Sequence, residues 1–145
     1  MRRDVPTASR PFVLRYTVQD AEIDEQGRAN NVAYVRWMNL AAIAHSHALG
    51  YTAERLAQLN AMFVVRRHEI DYRLPALAGD ELELRTWPTL MRAATAERAH
   101  EMVRVADGKV IARGYNVWGY IHVETHRPLR MPAEVLDAFD PAKFA

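Results

Sequence analysis

The sequence predicts a single α+β domain in which one antiparallel sheet of about five strands wraps one long helix. Three observations support this prediction. The chain has 145 residues, half of them hydrophobic, which suits one domain with one core. One strand pattern precedes a long helical pattern, and four further strand patterns follow it. The long helix is apolar on almost every side, so we expect neighbouring elements to enclose it.

The composition excludes several classes of function. Lys and Arg total 19 while Asp and Glu total 18, so no net field is available to hold nucleic acid along a whole face. The chain contains no cysteine, which excludes disulfide bonds, thiolate zinc sites and a cysteine nucleophile. We therefore expect no nucleic-acid partner, no bound metal and no cofactor.

The N-terminal segment, residues 1–10, is polar and contains Pro6, and we expect it to be flexible. Residues 11–145 are predicted to form the single domain, because they contain no repeat, low-complexity tract or interdomain linker. No apolar run approaches the roughly 18 residues that a membrane span needs. A cytoplasmic protein without a membrane span is the expected class.

The first strand and the long helix follow one another. Apolar and polar residues alternate over residues 12–19, which is the period of a half-buried strand. An acidic turn at residues 20–28 follows. The pair Asn30–Asn31 then opens a helix over residues 32–49, and Gly50 ends it. One stripe of this helix repeats at helical spacing: Val35, Met38, Ala41, Ala42 and His45.

The rest of the chain is mainly a series of strands separated by turns. A short helix is predicted around residues 53–58. Charged and apolar residues then alternate over residues 65–74, and Pro75 begins the turn that follows. Three more strands are predicted over residues 81–87, 95–105 and 110–123. The last two are joined by a hairpin turn at Ala106, Asp107, Gly108 and Lys109. Residues 132–139 predict a terminal helix that Pro141 limits.

One face of the predicted sheet packs on the helix, and the other face still carries apolar side chains. Trp87, Val117 and Val123 are examples. Because a soluble protein rarely leaves a large apolar face open, self-association is the expected cover.

One segment carries the signature of a known family. Residues 24–37, DEQGRANNVAYVRW, resemble the signature of hotdog-fold thioesterases, both the 4-hydroxybenzoyl-CoA thioesterase branch and the plant-type acyl-ACP thioesterases. The specific part is the spacing of Asp24, Gly27, Asn30, Asn31 and Tyr34. Residues 70–76 and 79–84 are similar to the family's second and third strands with their intervening turn. The resemblance covers residues 12–123 in the right order.

The resemblance implies a hotdog fold, a homodimer with sites shared between subunits, and often a homotetramer. It implies hydrolysis of an acyl-CoA or acyl-ACP thioester. The family's catalytic carboxylate falls on Asp24, and the backbone amide that polarises the thioester carbonyl falls at Asn31. By the same resemblance we expect substrate contacts from four further residues of the signature: Gly27, Asn30, Tyr34 and Trp37. For Tyr34 and Trp37, a place in the core is the alternative.

The sequence departs from the family pattern at three positions. Glu22 stands where the family often has Asp, and Arg28 stands where it often has His. Asn39 replaces a helical acidic residue that serves as base or nucleophile in some branches. Because an amide can take neither role, the branch that relies on the loop carboxylate is favoured.

The chemistry of a thioester suits Asp24 and the start of the helix. Unbonded amides at a helix N-terminus carry partial positive charge, and one such donor contributes about 3 kcal/mol in known oxyanion holes. A carboxylate near that end stays ionised and can act as nucleophile or as base for water, and both roles remain open for Asp24. For Asn31 the hypothesis concerns the backbone amide. For Asn30 we assign the ordinary role of helix N-cap.

Coenzyme A would present phosphates outside the pocket, where arginine side chains suit them. Arg92 and Arg130 lie near the positions where related enzymes place basic residues for the nucleotide, so we predict them as substrate-binding residues. The four histidines of the predicted helix and strands are interpreted as structural, because no serine, acid or ligand cluster accompanies them: His45, His47, His68 and His100.

Two other functions compete with the hydrolase hypothesis. A hydratase or dehydratase on the same fold pairs an acid with a His soon after it, but Arg28 and Ala29 occupy that stretch here. A non-catalytic acyl-binding dimer would not need the intact Asp24 and Gly27. The sequence leaves open the acyl length, the carrier and the choice between dimer and tetramer.

Overall fold

A computed structural model describes residues 5–145, so the first four residues of the predicted N-terminal segment 1–10 lie outside the described residues. Two short 3-10 helices, Asp20–Glu22 and Pro141–Lys143, accompany the main elements. In chain order the main elements are β1 Phe12–Thr17, α1 Asn31–Ala48, α2 Ala53–Gln58, β2 Ala61–Tyr72, β3 Glu81–Arg92, β4 Thr95–Arg104, β5 Val110–His122 and α3 Ala133–Ala138.

The strands form one five-stranded sheet in the order β1-β3-β4-β5-β2. Every neighbouring pair is antiparallel, so the predicted α+β class and sheet are confirmed. The predicted hairpin joins β4 to β5, with Val103 opposite Val110. The edges of the sheet are β1 and β2, and β2 offers an edge of 12 residues.

Two strands are longer than the alternation of residues predicts. β2 begins at Ala61 rather than at residue 65, and β3 continues to Arg92 rather than ending at Trp87. Each strand contains a register shift, between Val65 and Arg67 in β2 and between Pro88 and Leu90 in β3. A bulge inserts one extra residue, which reverses the alternation of apolar and polar residues. The alternation therefore breaks at the bulge although the strand continues.

α1 packs its apolar side against the concave face of the sheet. Trp37 and Met38 are almost fully buried there against Leu82, Leu84 and Met102. The prediction that the helix is enclosed on all sides is wrong for the single chain, because the sheet covers only one side of it. Leu40 and Ile43 remain 38% and 50% exposed.

The outer face of the sheet is partly covered by the chain itself. Residues 82 and 84 face α1, so Trp87, three residues further along β3, lies on the outer face. It is nevertheless only 5% exposed. On the same face the Thr7 hydroxyl donates a hydrogen bond to Glu101. The expectation that Trp87 needs self-association to be covered is therefore wrong. Val117 and Val123 are half-buried in the single chain.

A second apolar cluster closes the other end of the sheet. Tyr51 and Leu56 from the region of α2 meet Val135 and Phe139 from the region of α3. Tyr120 of β5 is fully buried between them. Within the described residues, no helix combines the length and hydropathy needed to cross a lipid bilayer.

Candidate active site

Asp24 lies in a tight exposed turn just before α1. Its backbone N–H donates to the Arg28 carbonyl at 2.9 Å, and its own carbonyl accepts from Gly27 at 3.0 Å. The Asp24 carboxylate accepts from the Gln26 N–H at 2.8 Å. Gly27 adopts φ +78°, a conformation that favours glycine. The turn therefore presents the carboxylate to solvent with one of its oxygens engaged locally.

The start of α1 is capped and fixed to the turn. The Asn30 side chain accepts from the Ala33 N–H at 3.0 Å, which confirms its role as N-cap. The Asn30 N–H donates to the Glu22 carbonyl, and the Ala29 N–H donates to the Ala76 carbonyl. Within residues 5–145, no group accepts from the Asn31 N–H. This exposed amide is therefore available to an external acceptor, as an oxyanion donor must be.

Glu22 holds this region together, and sequence reasoning identified it only as a departure from the family pattern. Its carboxylate is almost fully buried and accepts from Trp37 Nε1 at 2.8 Å, Tyr16 OH at 2.8 Å and Gln19 N–H at 2.9 Å. The largely exposed Arg36 lies 3.3 Å away. Glu22 therefore joins β1, α1 and the base of the Asp24 turn through one buried group.

Tyr34 and Trp37 are core residues of the single chain. Trp37 is fully buried, and its indole N–H is occupied by Glu22. The Tyr34 hydroxyl accepts from the Ala76 N–H at 3.2 Å, and burial raises the pKa of this phenol. The Tyr72 hydroxyl donates to the Asn31 carbonyl at 3.0 Å. Tyr34 and Trp37 thus support the start of α1 from beneath. Direct contact between these two side chains and the substrate stays a prediction.

Arg92 and Arg130 lie far from Asp24 within one chain. Asp24 and Asn31 adjoin the end of the sheet where β3 begins, because the segment before β3 bonds to residue 29. Arg92 is the last residue of β3, at the far end of a 12-residue strand that would be about 36 Å long if fully extended. Arg130 lies beside it, since the Met131 N–H donates to the Ala93 carbonyl. Both arginines are exposed.

The structure contains a large cavity that none of the predicted site residues lines. Its volume is about 590 Å³, and it lies between the second half of α1, α2 and parts of β2, β3, β4 and β5. Most of its lining is apolar, with Arg98 and Asn39 among the polar exceptions. One signal in the sequence was available: alternation along β4 places Arg98 on the same face as the core residue Met102.

Two of the four histidines, His45 and His100, are buried, whereas His68 is partly buried and His47 is exposed. Burial and the neighbouring Arg98 guanidinium lower the pKa of His45 to about 3. Burial lowers the pKa of His68, and burial together with Arg98 holds the pKa of His100 well below its usual value. Among the residues that the structure describes, no three His, Asp or Glu side chains are grouped closely enough to ligate a metal ion.

Comparisons with known proteins agree on the fold. A model of the thioesterase-like superfamily matches residues 18–139. A protein provisionally assigned as an oleoyl thioesterase from Lactobacillus plantarum is 21% identical with a TM-score of 0.84; the match covers 91% of this chain but only 51% of that longer one.

Two further solved structures match over most of both chains. The 1,4-dihydroxy-2-naphthoyl-CoA thioesterase from Synechocystis is 15% identical with a TM-score of 0.83, and the match covers 93% of this chain and 99% of that one. The DHNA-CoA thioesterase from Staphylococcus aureus is 17% identical with a TM-score of 0.77, covering 92% and 85%. At these identities the likeness shows the fold, and the predicted hotdog fold is confirmed.

Proposed function

Because the chain belongs to the thioesterase-like superfamily, we propose that it hydrolyses an acyl-CoA thioester to a free acid and coenzyme A. The observation that carries this proposal is that the exposed Asp24 carboxylate lies in the turn before α1, while the Asn31 amide at the start of α1 has no acceptor within residues 5–145. These two groups are the charged oxygen and the oxyanion donor that thioester hydrolysis requires.

In the proposed reaction the Asn31 N–H donates to the thioester carbonyl oxygen, where negative charge develops. Asp24 either attacks the carbonyl carbon or takes a proton from the attacking water. In both cases a carbon–oxygen bond forms, the carbon–sulfur bond breaks and the departing thiolate gains a proton. Direct attack adds one step, because water must then cleave the mixed anhydride on Asp24.

The hydrolase hypothesis can be tested on a panel of acyl-CoAs that covers short and long, aliphatic and aromatic acyl groups, with the matching acyl-ACPs beside them. We expect release of free thiol from at least one acyl-CoA above the spontaneous rate. An enoyl-CoA in the panel tests the hydratase alternative, because hydration consumes the double bond without releasing thiol. Binding of an acyl-CoA without either reaction would instead support the acyl-binding alternative.

We also propose that the active form is a homodimer or homotetramer. A second copy would cover the exposed Leu40 and Ile43 on α1 and the edge of the sheet at β2, a strand that among residues 5–145 pairs with β5 alone. A second copy also offers a place for Arg92 and Arg130 beside Asp24, since within one chain they lie at opposite ends of β3.

Assembly is therefore expected to be visible by light scattering at micromolar concentration, with a mass of two or four chains. Leu40→Glu should weaken the assembly, because a charge would be buried at the contact. Leu77→Glu is the matched control, since Leu77 is 47% exposed in the β2–β3 connection. A monomeric wild-type protein would contradict the proposal.

A further inference from the structure

The cavity of about 590 Å³ has the size of a small-molecule site, and its lining includes the guanidinium of Arg98. Its walls are mainly apolar side chains, among them Ile43, Phe63, Met91 and Trp118. Arg98 lies in this apolar setting with 7% of its surface exposed. A mainly apolar cavity with a few polar groups is typical of a site that orients its ligand by those groups.

Arg98 is held rigidly by neutral partners. Its Nη1 donates to His45 Nδ1 at 2.9 Å and to the Thr86 hydroxyl at 3.1 Å. A guanidinium has no acceptor, so His45 Nδ1 must accept and the ring proton must lie on Nε2. Within residues 5–145, no carboxylate lies at ion-pair distance from Arg98. Glu97 also lines the cavity, but alternation along β4 directs it to the opposite face.

The charge on Arg98 persists despite its burial. Burial lowers the pKa of the guanidinium to about 10, so the group stays protonated at neutral pH. His45 is neutral at that pH and contributes no charge of its own. An unpaired cation in an apolar environment is energetically costly unless an anion accompanies it. An anionic ligand group that enters the cavity would remove that cost and gain charge-assisted hydrogen bonds.

We propose that Arg98 is a specificity-determining residue that selects acyl groups bearing a carboxylate at the end remote from the thioester. The proposal rests on the proposed hydrolase function and deepens it, because it names the substrate class as ω-carboxyacyl thioesters. The acyl chain occupies the apolar cavity, and its terminal carboxylate accepts hydrogen bonds from the Arg98 nitrogens that Thr86 and His45 leave free.

The test compares pairs of acyl-CoAs that differ only in the terminal carboxylate, such as adipoyl with hexanoyl and longer pairs up to 16 carbons. The series is needed because about 21 Å of helix separates Asn31 from His45 within one chain. For at least one length we expect kcat/KM to favour the carboxylated member by roughly 10- to 100-fold. The ratio should approach one in Arg98→Met and keep part of its value in Arg98→Lys, which retains the charge.

Arg15→Met is the control, because Arg15 is an exposed arginine on β1 that pairs with Glu81, and its ratio should equal that of wild type. A wild-type enzyme without preference at any length would overturn the proposal while leaving the hydrolase function intact. So would an Arg98→Met variant that keeps the preference. Where Arg98→Met does not fold, the wild-type ratio tests the preference and the folded Arg98→Lys variant tests its dependence on Arg98, since an Arg98→Lys ratio equal to that of wild type would overturn the proposal.

If no thioester is hydrolysed, the hydrolase proposal fails and the specificity proposal is decided by binding. S-alkyl CoA thioethers with and without a terminal carboxylate cannot be hydrolysed, and calorimetry measures their affinities for the wild-type protein. The role of Arg98 is supported if the carboxylated thioether binds more tightly than the thioether without the carboxylate, by a factor of about ten or more. Equal affinities at every length overturn it.

Discussion

Replacing Asp24 by asparagine is expected to lower kcat by about 10²- to 10⁴-fold, with a much smaller change in KM. The substitution keeps the size of the side chain, and the amide oxygen can still accept from the Gln26 N–H that the carboxylate now engages. The turn should therefore keep its shape and lose only the charge. Because the acyl pocket and the nucleotide contacts supply most of the binding energy, the loss falls mainly on the transition state.

The measurement is steady-state kinetics of wild type, Asp24→Asn and Asp24→Ala on the best acyl-CoA of the panel, with thermal melting to show that each variant is folded. Glu25→Gln is the matched control, since it removes an exposed carboxylate from the neighbouring position of the same turn. We expect its kcat to stay within about twofold of wild type. Folded Asp24 variants with near-wild-type turnover would remove Asp24 from the mechanism.

Replacing Glu22 by alanine is expected to cost about 3–5 kcal/mol of stability, which lowers the melting temperature by roughly 10–15 °C. The carboxylate is only 3% exposed and accepts from Trp37, Tyr16 and Gln19. Alanine leaves the indole N–H of Trp37 buried without an acceptor and opens a cavity beside it. The ion pair with Arg36 adds little, because the Arg36 side chain is 57% exposed.

Glu22→Gln separates the hydrogen bonds from the charge. Its amide oxygen can accept from Trp37, while its NH₂ group can donate to a rotated Tyr16 hydroxyl, so mainly the Gln19 N–H loses its partner. We expect a loss of about 1–2 kcal/mol, measured by urea unfolding beside Glu22→Ala. Equal and small losses in the two variants would contradict the assignment of Glu22 as the group that fixes the turn to α1.

The local signals in the sequence were reliable where each depends on a few neighbouring residues. The helix start at Asn30 and Asn31 was predicted because an Asn side chain can cap the amide three residues on, and it does so at 3.0 Å. The β4–β5 hairpin was predicted from its turn residues, and the register confirms it. The ends of β2 and β3 were not predicted, because bulges reverse the alternation within both strands.

The residues of the candidate site also fall into two groups, those that a local signal identifies and those that it does not. Asp24 and Gly27 lie in one turn and Asn31 begins the helix that follows it, so a short motif identifies them together. Glu22 and Arg98 derive their importance from partners that are distant along the chain. Glu22 meets Trp37 across 15 residues, and Arg98 meets His45 across 53. Alternation along β4 places Arg98 on the core face, but no local pattern indicates the distant partners of Arg98 or of Glu22.

The sequence by itself determined the fold class, the order of the elements and the turn that carries Asp24, because turn chemistry, helix capping and residue periodicity act over a few residues. Only the tertiary structure decided that α1 leaves one side exposed, that Arg92 lies at the opposite end of the sheet from Asp24, and that the buried Arg98 lines a cavity of about 590 Å³. These properties depend on strand register and on which faces meet, and a bulge of one residue changes both.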